Sequence, residues 1–402
     1  MKIVQINAVC GKGSTGKISV AISELLTNNG IENYILYSLG KSDYPLAIKC
    51  ASKFDVKINA LKSRIFGNLG FYGKSVTNNI VKCLEDIKPN IVHLHNIHSH
   101  NVHLEILFNY FKKNKIKVYW TFHDCWAITG YCMHFDMIGC EKWKMVCHNC
   151  PQSKDFSWFI DKSKHLYEKK KGLFSGLDLT IITPSKWMAN KVKQSYLKNY
   201  PIEIINNGID LSIFKPTPSD FKEKYKIEDK KIILGVAFGW GYKKGLDVFI
   251  DLSKRLSDKY KIVLVGTNEN VDKVLSHNIL SIHKTENQKQ LAEIYSSADV
   301  FVNATREDTF PTVNIEALAC GTPVVTFNTG GSPEILDESC GIVVDKNDVC
   351  ALEKAIVRVV EENPFISDDC ENRAKIFSKE ESYSKYLNKY FSDCLLEKVC
   401  NE

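Results

Sequence analysis

The chain has 402 residues, with 53 Lys and Arg against 47 Asp and Glu, and is 44% hydrophobic, 11% aromatic and 25% charged. This is the balance of a folded globular protein, which excludes disordered, collagen-like and coiled-coil architectures and calls for two or three domains with their own cores. The net charge of +6 is too mild for a nucleic-acid surface, so no nucleic acid is expected as a partner, and no uncharged apolar run reaches the roughly 18 residues of a membrane span.

From the first residue onward, short apolar β-branched runs alternate with helical patterns. Residues 1–8 read as a strand rather than a charged leader followed by an apolar stretch, so a cytoplasmic protein is expected. Strands are predicted at 2–8, 33–39, 90–96, 117–124 and 178–185, then at 231–237, 260–266, 279–283, 299–305, 323–329 and 341–345. Segments such as 244–256, 287–298 and 349–362 carry apolar residues at three- and four-residue spacing. Strand, helix, strand repeated in this way implies parallel sheets covered on both faces. The densest punctuation is Asn206-Asn207-Gly208-Ile209-Asp210 followed by Phe214-Lys215-Pro216-Thr217-Pro218, and the seam between two sheets belongs there. The expected fold class is therefore α/β, with two Rossmann-like doubly wound parallel-sheet domains facing a central cleft. The first domain spans 1–205 with a Cys-rich insertion at 125–151, the second spans 206–377, and 378–402 is an amphipathic helix crossing back to the first. In such sheets ligands bind at the carboxyl ends of the strands.

After the first strand comes Gly11-Lys12-Gly13-Ser14-Thr15-Gly16-Lys17-Ile18. Gly13 and Gly16 would let backbone N–H groups approach a phosphate at a helix start. The spacing nearly matches a nucleotide-hydrolase P-loop, but Ile18 stands where a Ser or Thr must hold Mg²⁺. Five of the eleven His lie between His93 and His103, with no carboxylate or Cys in the run to complete a metal site. His123-Asp124 ends another strand, where an imidazole can bond a sugar hydroxyl. Cys125, Cys132, Cys140, Cys147 and Cys150 follow, and Cys147-x2-Cys150 has the spacing of a zinc half-site. Cys132, Cys140, Cys147 and Cys150 are candidate ligands of a structural zinc, with unligated reduced thiols as the alternative. Lys112, Lys113, Lys115 and Lys117, then Lys186, Lys191, Lys193 and Lys198, are either a solvated surface or a face that rests on an anionic membrane surface or handles an anionic substrate.

In the second half, Lys243 and Lys244 precede a helix, where a cation is unfavourable unless an anion neutralises it; a diphosphate is the natural candidate. The richest stretch is Arg306-Glu307-Asp308-Thr309-Phe310-Pro311-Thr312, continuing to Glu316 on the following helix. Carboxylates accept paired hydrogen bonds from vicinal hydroxyls, and the helix start can present amides to phosphate. Gly330-Gly331-Ser332-Pro333-Glu334 adds a second glycine turn.

These motifs resemble the GT-B glycosyltransferases of the large retaining family four (glycosyl transferases group 1), and more narrowly its capsule and exopolysaccharide members. The resemblance covers essentially the whole chain. It rests on Asn206-Asn207-Gly208-Ile209-Asp210, Lys244-Gly245, Asp308-x7-Glu316-Ala317-x3-Gly321-x-Pro323 and Gly330-Gly331-x-Pro333-Glu334. It implies transfer of a sugar from a nucleotide-diphosphate donor to a growing, lipid-linked glycan at the inner face of a membrane, with no catalytic metal. Glu316 would bind the ribose, Asp308 the sugar hydroxyls, Lys244 the diphosphate and His123 the sugar near its anomeric carbon. The donor would also meet Gly13, Gly16, Lys243, Glu307, Phe310, Pro311 and Thr312. Two positions depart from the family: Asp308 replaces the usual Glu, with Glu307 as the candidate substitute, and Gly239 stands where an Arg is usual, with Lys243 as the candidate substitute. A P-loop-like hydrolase and a catalytically silent scaffold are the alternatives.

Overall fold

Seven apolar runs of the first half become strands β1 (Lys2–Asn7), β2 (Glu32–Tyr37), β3 (Ala47–Lys49), β4 (Ile91–Leu94), β5 (Lys117–Thr121), β6 (Leu179–Thr183) and β7 (Ile202–Ile204). Six more follow: β8 (Lys231–Val236), β9 (Tyr260–Val265), β10 (Ile279–Ile282), β11 (Val300–Asn303), β12 (Val324–Phe327) and β13 (Gly341–Val344). The computed structural model describes residues 1–400, and side chains as far as 393. The chain divides into unit 1, Met1–Asn206 with the segment from Tyr383, and unit 2, Asn207–Ser382.

Unit 1 holds a seven-stranded sheet of order β3-β2-β1-β4-β5-β6-β7 and unit 2 a six-stranded sheet of order β10-β9-β8-β11-β12-β13. Every strand pair is parallel, with Ile6 opposite Leu94 and Leu94 opposite Trp120 in the first sheet. Both are doubly wound sheets of the Rossmann type. Central strands such as β4, β6, β11 and β12 are buried along their whole length, because helices cover both faces and continuous apolar runs are the pattern that survives there.

The chain leaves unit 1 at the Asn206–Asp210 turn. Gly208 is required here: a Cβ would stand 2.7 Å from the Lys379 Cα. The Ile209 N–H donates to the Phe377 carbonyl and the Lys379 N–H to the Ile209 carbonyl, and Lys379 Nζ reaches Asp210 at 2.5 Å. The last helix, Lys379–Cys400, then gives Tyr383, Tyr386 and Tyr390 to the core of unit 1 beside Ile3, Ile18, Ile22, Tyr119 and Ile182. No helix among the described residues is long and apolar enough to cross a membrane.

Candidate functional site

The strand order of unit 2 reverses between β8 and β11, and the crevice beyond the carboxyl ends of two such strands is the ordinary ligand position of an open parallel sheet. The loop after β8 presents Lys243 and Lys244 on a single 3-10 turn, and Gly245 then swings the chain into the helix Leu246–Arg255. Gly245 has φ +75°, and a Cβ would lie 2.5 Å from the Ala304 carbonyl oxygen, so this loop rests directly on the end of β11. Arg306 locks it there. Its guanidinium donates twice to Asp247, at 2.8 Å each, and to the Tyr242 carbonyl and Asn347, and it stacks 3.8 Å above the Tyr242 ring.

The loop after β11 brings the acids. Lys243 Nζ lies 2.9 Å from Glu307 Oε2, whose side chain is 1% exposed, and Lys244 Nζ lies 2.9 Å from Asp308 Oδ2. The other Asp308 oxygen accepts the Phe310 N–H at 3.3 Å. Phe310 and Pro311 are buried, and Thr312 opens the helix Thr312–Ala319, whose start has no side-chain cap. Glu316, one turn on, accepts the Tyr295 hydroxyl at 3.1 Å. Burial and then the Glu316 charge push that phenol well above its ordinary value, so Tyr295 remains a donor. Gly330 closes the group from β12: its φ is +56° and a Cβ would fall 1.6 Å from the Asp308 carbonyl oxygen. Gly239, where the family Arg would stand, has φ +78° and open space around it.

Unit 1 reverses its order between β1 and β4. After β1, Gly11 at φ +69° returns its N–H to the Gly16 carbonyl at 3.0 Å, and the Asn7 amide holds the Thr15 carbonyl at 3.1 Å. The helix Gly13–Asn28 follows without a side-chain cap. Gly13 has φ +65° and open space beside it, whereas Gly16 packs on Val9 and Gly11. Ile18 is 4% exposed and belongs to the core with Ile3 and Ile22, so the position a P-loop gives to a Mg²⁺-binding hydroxyl is spent on packing. This removes the structural basis for the P-loop alternative.

Beside this loop runs a buried chain of hydrogen bonds. The Gln5 amide donates to the Ser19 carbonyl at 3.0 Å, which orients it so that Oε1 accepts from His95 Nε2 at 2.9 Å. His95 Nδ1 meets His123 Nε2 at 3.0 Å. Burial holds all three histidines low, His93 at about 3, His123 at about 4 and His95 well below the usual value, so each ring is neutral with one N–H. With Gln5 accepting, His95 must carry its proton on Nε2, and His123 must in turn donate from Nε2. His123 is thereby fixed in the tautomer whose Nδ1 is an acceptor.

The remaining histidines are shared among separate tasks. His98 Nε2 pairs with Asp124 at 2.8 Å, and the Trp126 N–H bonds the other Asp124 oxygen at 2.9 Å. Burial would raise that carboxyl, but the His98 charge and bond, helped by Trp126, outweigh it and hold Asp124 at about 2. His100 bonds Ser63, and His103 precedes the helix Leu104–Lys113. Of the two lysine runs, Lys117 is paired with Asp178 at 2.8 Å and Lys191 with Asp136 at 3.2 Å. Cys132, Cys140, Cys147 and Cys150 line one small cavity, with Cys132 and Cys150 sulfurs 3.7 Å apart. Among the described residues, no group of three or more His, Cys, Asp and Glu side chains is gathered tightly enough to hold an ion as the side chains stand.

Sequence reasoning named Glu307, Asp308, Glu316, Lys243, Lys244 and His123 but missed Gln5, Tyr295 and the organising part of Arg306. Gln5 left a signal, a polar residue within the apolar run Ile3–Ile6; Tyr295 left none.

Comparison with known proteins agrees with this architecture. The family model "Glycosyltransferase Family 4" matches residues 20–213 and "Glycosyl transferases group 1" matches 230–362. WcaC of Escherichia coli, a glycosyl transferase named for colanic acid biosynthesis, is 24% identical over 97% of this chain and 99% of its own. CapM of Staphylococcus aureus, a capsular polysaccharide biosynthesis glycosyltransferase, is 26% identical over 52% of this chain and 57% of its own. Among solved structures, sucrose-phosphate synthase from Thermosynechococcus elongatus superposes with a TM-score of 0.72 at 14% identity, over 98% of this chain and 99% of that one. Anabaena HepE in complex with UDP-glucose superposes with a TM-score of 0.69 at 13% identity, over 98% and 100%. With two Rossmann-type units, and a family model matching within each of them, the chain belongs to the GT-B glycosyltransferases of family four, the glycosyl transferases group 1.

Proposed function

We propose that the protein transfers a sugar, with retention of configuration, from a nucleoside-diphosphate donor to a hydroxyl of a growing lipid-linked glycan in surface polysaccharide synthesis. The observation that carries this reading is the double pair Lys243–Glu307 and Lys244–Asp308 at the switch point of unit 2. It sets two ammonium groups and two carboxylates at one strand edge, the complement of an anion joined to a polyol. The names of WcaC and CapM, and the UDP-glucose bound to HepE, support the pathway and the donor class.

In this reading the diphosphate displaces the carboxylates from Lys243 and Lys244, and the freed Asp308 takes the sugar hydroxyls. Glu316, steadied by Tyr295, takes the ribose diol. Glu307, Phe310, Pro311 and Thr312 shape the same rim, with the helix start at Thr312 offering N–H groups to phosphate. By the family resemblance, His123 is assigned to the sugar near its anomeric carbon and the loop through Gly13 and Gly16 to the donor. As the bond from the anomeric carbon to phosphate breaks, the sugar becomes oxocarbenium-like and negative charge grows on the leaving diphosphate. Fixed ammonium groups there lower the barrier, and the leaving oxygen takes the acceptor's proton, so neither an enzymic base nor a catalytic metal is required.

The lipid-linked acceptor draws support from one surface of unit 1. The helix Lys53–Phe66 exposes Phe54, 72% accessible, with Leu61 and Phe66, and carries Lys53, Lys57, Lys62 and Arg64 against one acid, Asp55. Its end is bonded through the Arg64 carbonyl to Trp158, in the exposed run Trp158-Phe159-Ile160. Apolar residues ringed by cations suit an anionic bilayer surface.

Nucleotide sugars screened by thermal shift test the donor class, since a ligand at 100 times its dissociation constant adds about 2.7 kcal/mol. One nucleotide sugar is expected to stabilise the protein, and Glu316→Ala is expected to abolish both that shift and transfer. Magnesium-dependent nucleotide hydrolysis untouched by Glu316→Ala would replace this reading, and a folded protein that binds no donor would make it a silent scaffold.

A further inference from the structure

Residues 125–151 form a long passage between β5 and β6 whose only regular elements are two single turns, Trp126–Ile128 and Lys142–Lys144. A stretch of that length without helix or strand needs something to fix it. Its four cysteines Cys132, Cys140, Cys147 and Cys150 face one cavity of about 10 Å³, room for a single small occupant. The Cys132 and Cys150 sulfurs are 3.7 Å apart, too far for a disulfide. With zinc–sulfur bonds of about 2.3 Å, the edge of a tetrahedral tetrathiolate is about 3.75 Å. Two further features belong to such sites. The Gly130 N–H points at the Cys147 sulfur at 3.3 Å, and Asn149, between Cys147 and Cys150, takes the left-handed conformation at φ +43° with its carbonyl held by Lys142 at 3.0 Å.

An independent observation points to negative charge in this place. Lys170 is fully buried, and among the described residues it forms no ion pair. Its ammonium donates to the Trp126 carbonyl at 2.7 Å and sits 4.0 Å over the Trp126 ring. The side chains around it that can carry a negative charge are Cys147, Cys132 and Asp124. A buried cation without a counter-charge is strongly unfavourable, and protonated thiols do not supply one. Four thiolates around a divalent ion carry two negative charges.

We propose that Cys132, Cys140, Cys147 and Cys150 bind one zinc ion as a tetrathiolate with Lys170 as its buried counter-charge, and that this site fixes the 125–151 passage. Binding converts four thiols and Zn²⁺ into a complex of net charge −2 with release of four protons. Cys140 and Cys147 turn their sulfurs toward the Cys132–Cys150 edge to close the set. The site is structural, with no position left open for water.

Metal analysis of the unaltered full-length protein decides the matter without relying on a variant to fold. About one equivalent of zinc is expected, exchangeable for cobalt with the visible bands of a tetrahedral thiolate complex. Less than about half an equivalent, or iron with acid-labile sulfide in its place, overturns the proposal. Cys147→Ser with Cys150→Ser is expected to lose the ion, while Cys350→Ser, at an exposed thiol, retains it. Lys170→Met is expected to weaken zinc retention against a chelator by about 10- to 100-fold, as loss of an outer partner does elsewhere; unchanged retention removes Lys170 from the site.

Discussion

Units 1 and 2 share one strand order about their switch points and fill those points with opposite chemistry. At β8 and β11, unit 2 sets two ion pairs, Lys243 with the buried Glu307 and Lys244 with the half-buried Asp308. At β1 and β4, unit 1 sets neutral groups, Gln5, His95 and His123, in a buried line that passes orientation rather than charge. A topology that supplies the same crevice twice therefore leaves the choice of ligand chemistry to a few loop residues. The charged crevice suits phosphate and hydroxyls; the neutral one suits precise placement of a single acceptor nitrogen.

The contrast breaks most readily at the charged crevice. Asp308→Asn keeps the shape but removes the charge, and transfer is expected to fall about 10²- to 10³-fold in steady-state assays while the melting temperature barely moves. Acid should act on the neutral crevice. His93 and His123 are held near 3 and 4, below the ordinary 6.5, so the unfolded chain binds more protons between those values. Their contribution is complete above about pH 6.5 and is lost as pH falls toward the folded values. At pH 5 the loss approaches about 2 kcal/mol for each, and is checked by denaturant midpoints between pH 7.5 and 5. Asp124 has the same sign in a lower window, its contribution fading below the ordinary carboxylate range toward about 2.

Smaller effects sharpen the comparison. Arg306→Met frees the loop that carries both lysines, and the donor KM is expected to rise about tenfold with kcat less affected, because binding rather than chemistry loses its scaffold. Gln5→Leu removes the group that sets the His95 and His123 tautomers. It is expected to lower kcat about five- to tenfold and leave the donor KM nearly unchanged.

Much of this architecture was legible because buried parallel strands are written as unbroken apolar runs. All eleven strands read from the sequence are present, shortened at their ends by one to three residues where the chain bends into loops. β3 and β7 escaped notice: Ala47-Ile48-Lys49 and Ile202-Glu203-Ile204 are edge strands of three residues, too short to show a period. The acidic and basic motifs were visible because carboxylates and lysines beside glycine turns have few structural uses. Their pairing was not, since Lys244 and Asp308 lie 64 positions apart. Lys170 stands within Glu168-Lys169-Lys170-Lys171 and nothing in that run distinguishes the one lysine that turns inward. Within the two basic runs, Lys117 and Lys191 are paired with acids that arrive from distant segments, Asp178 and Asp136.

Calorimetric titration of a nucleoside diphosphate into the unaltered protein and into the Lys243→Ala, Lys244→Ala double variant bears most directly on the role given to the β8–β11 crevice. Binding weakened at least tenfold, with a shallower dependence on salt, is the outcome this account requires. Equal affinity in the two proteins would contradict it.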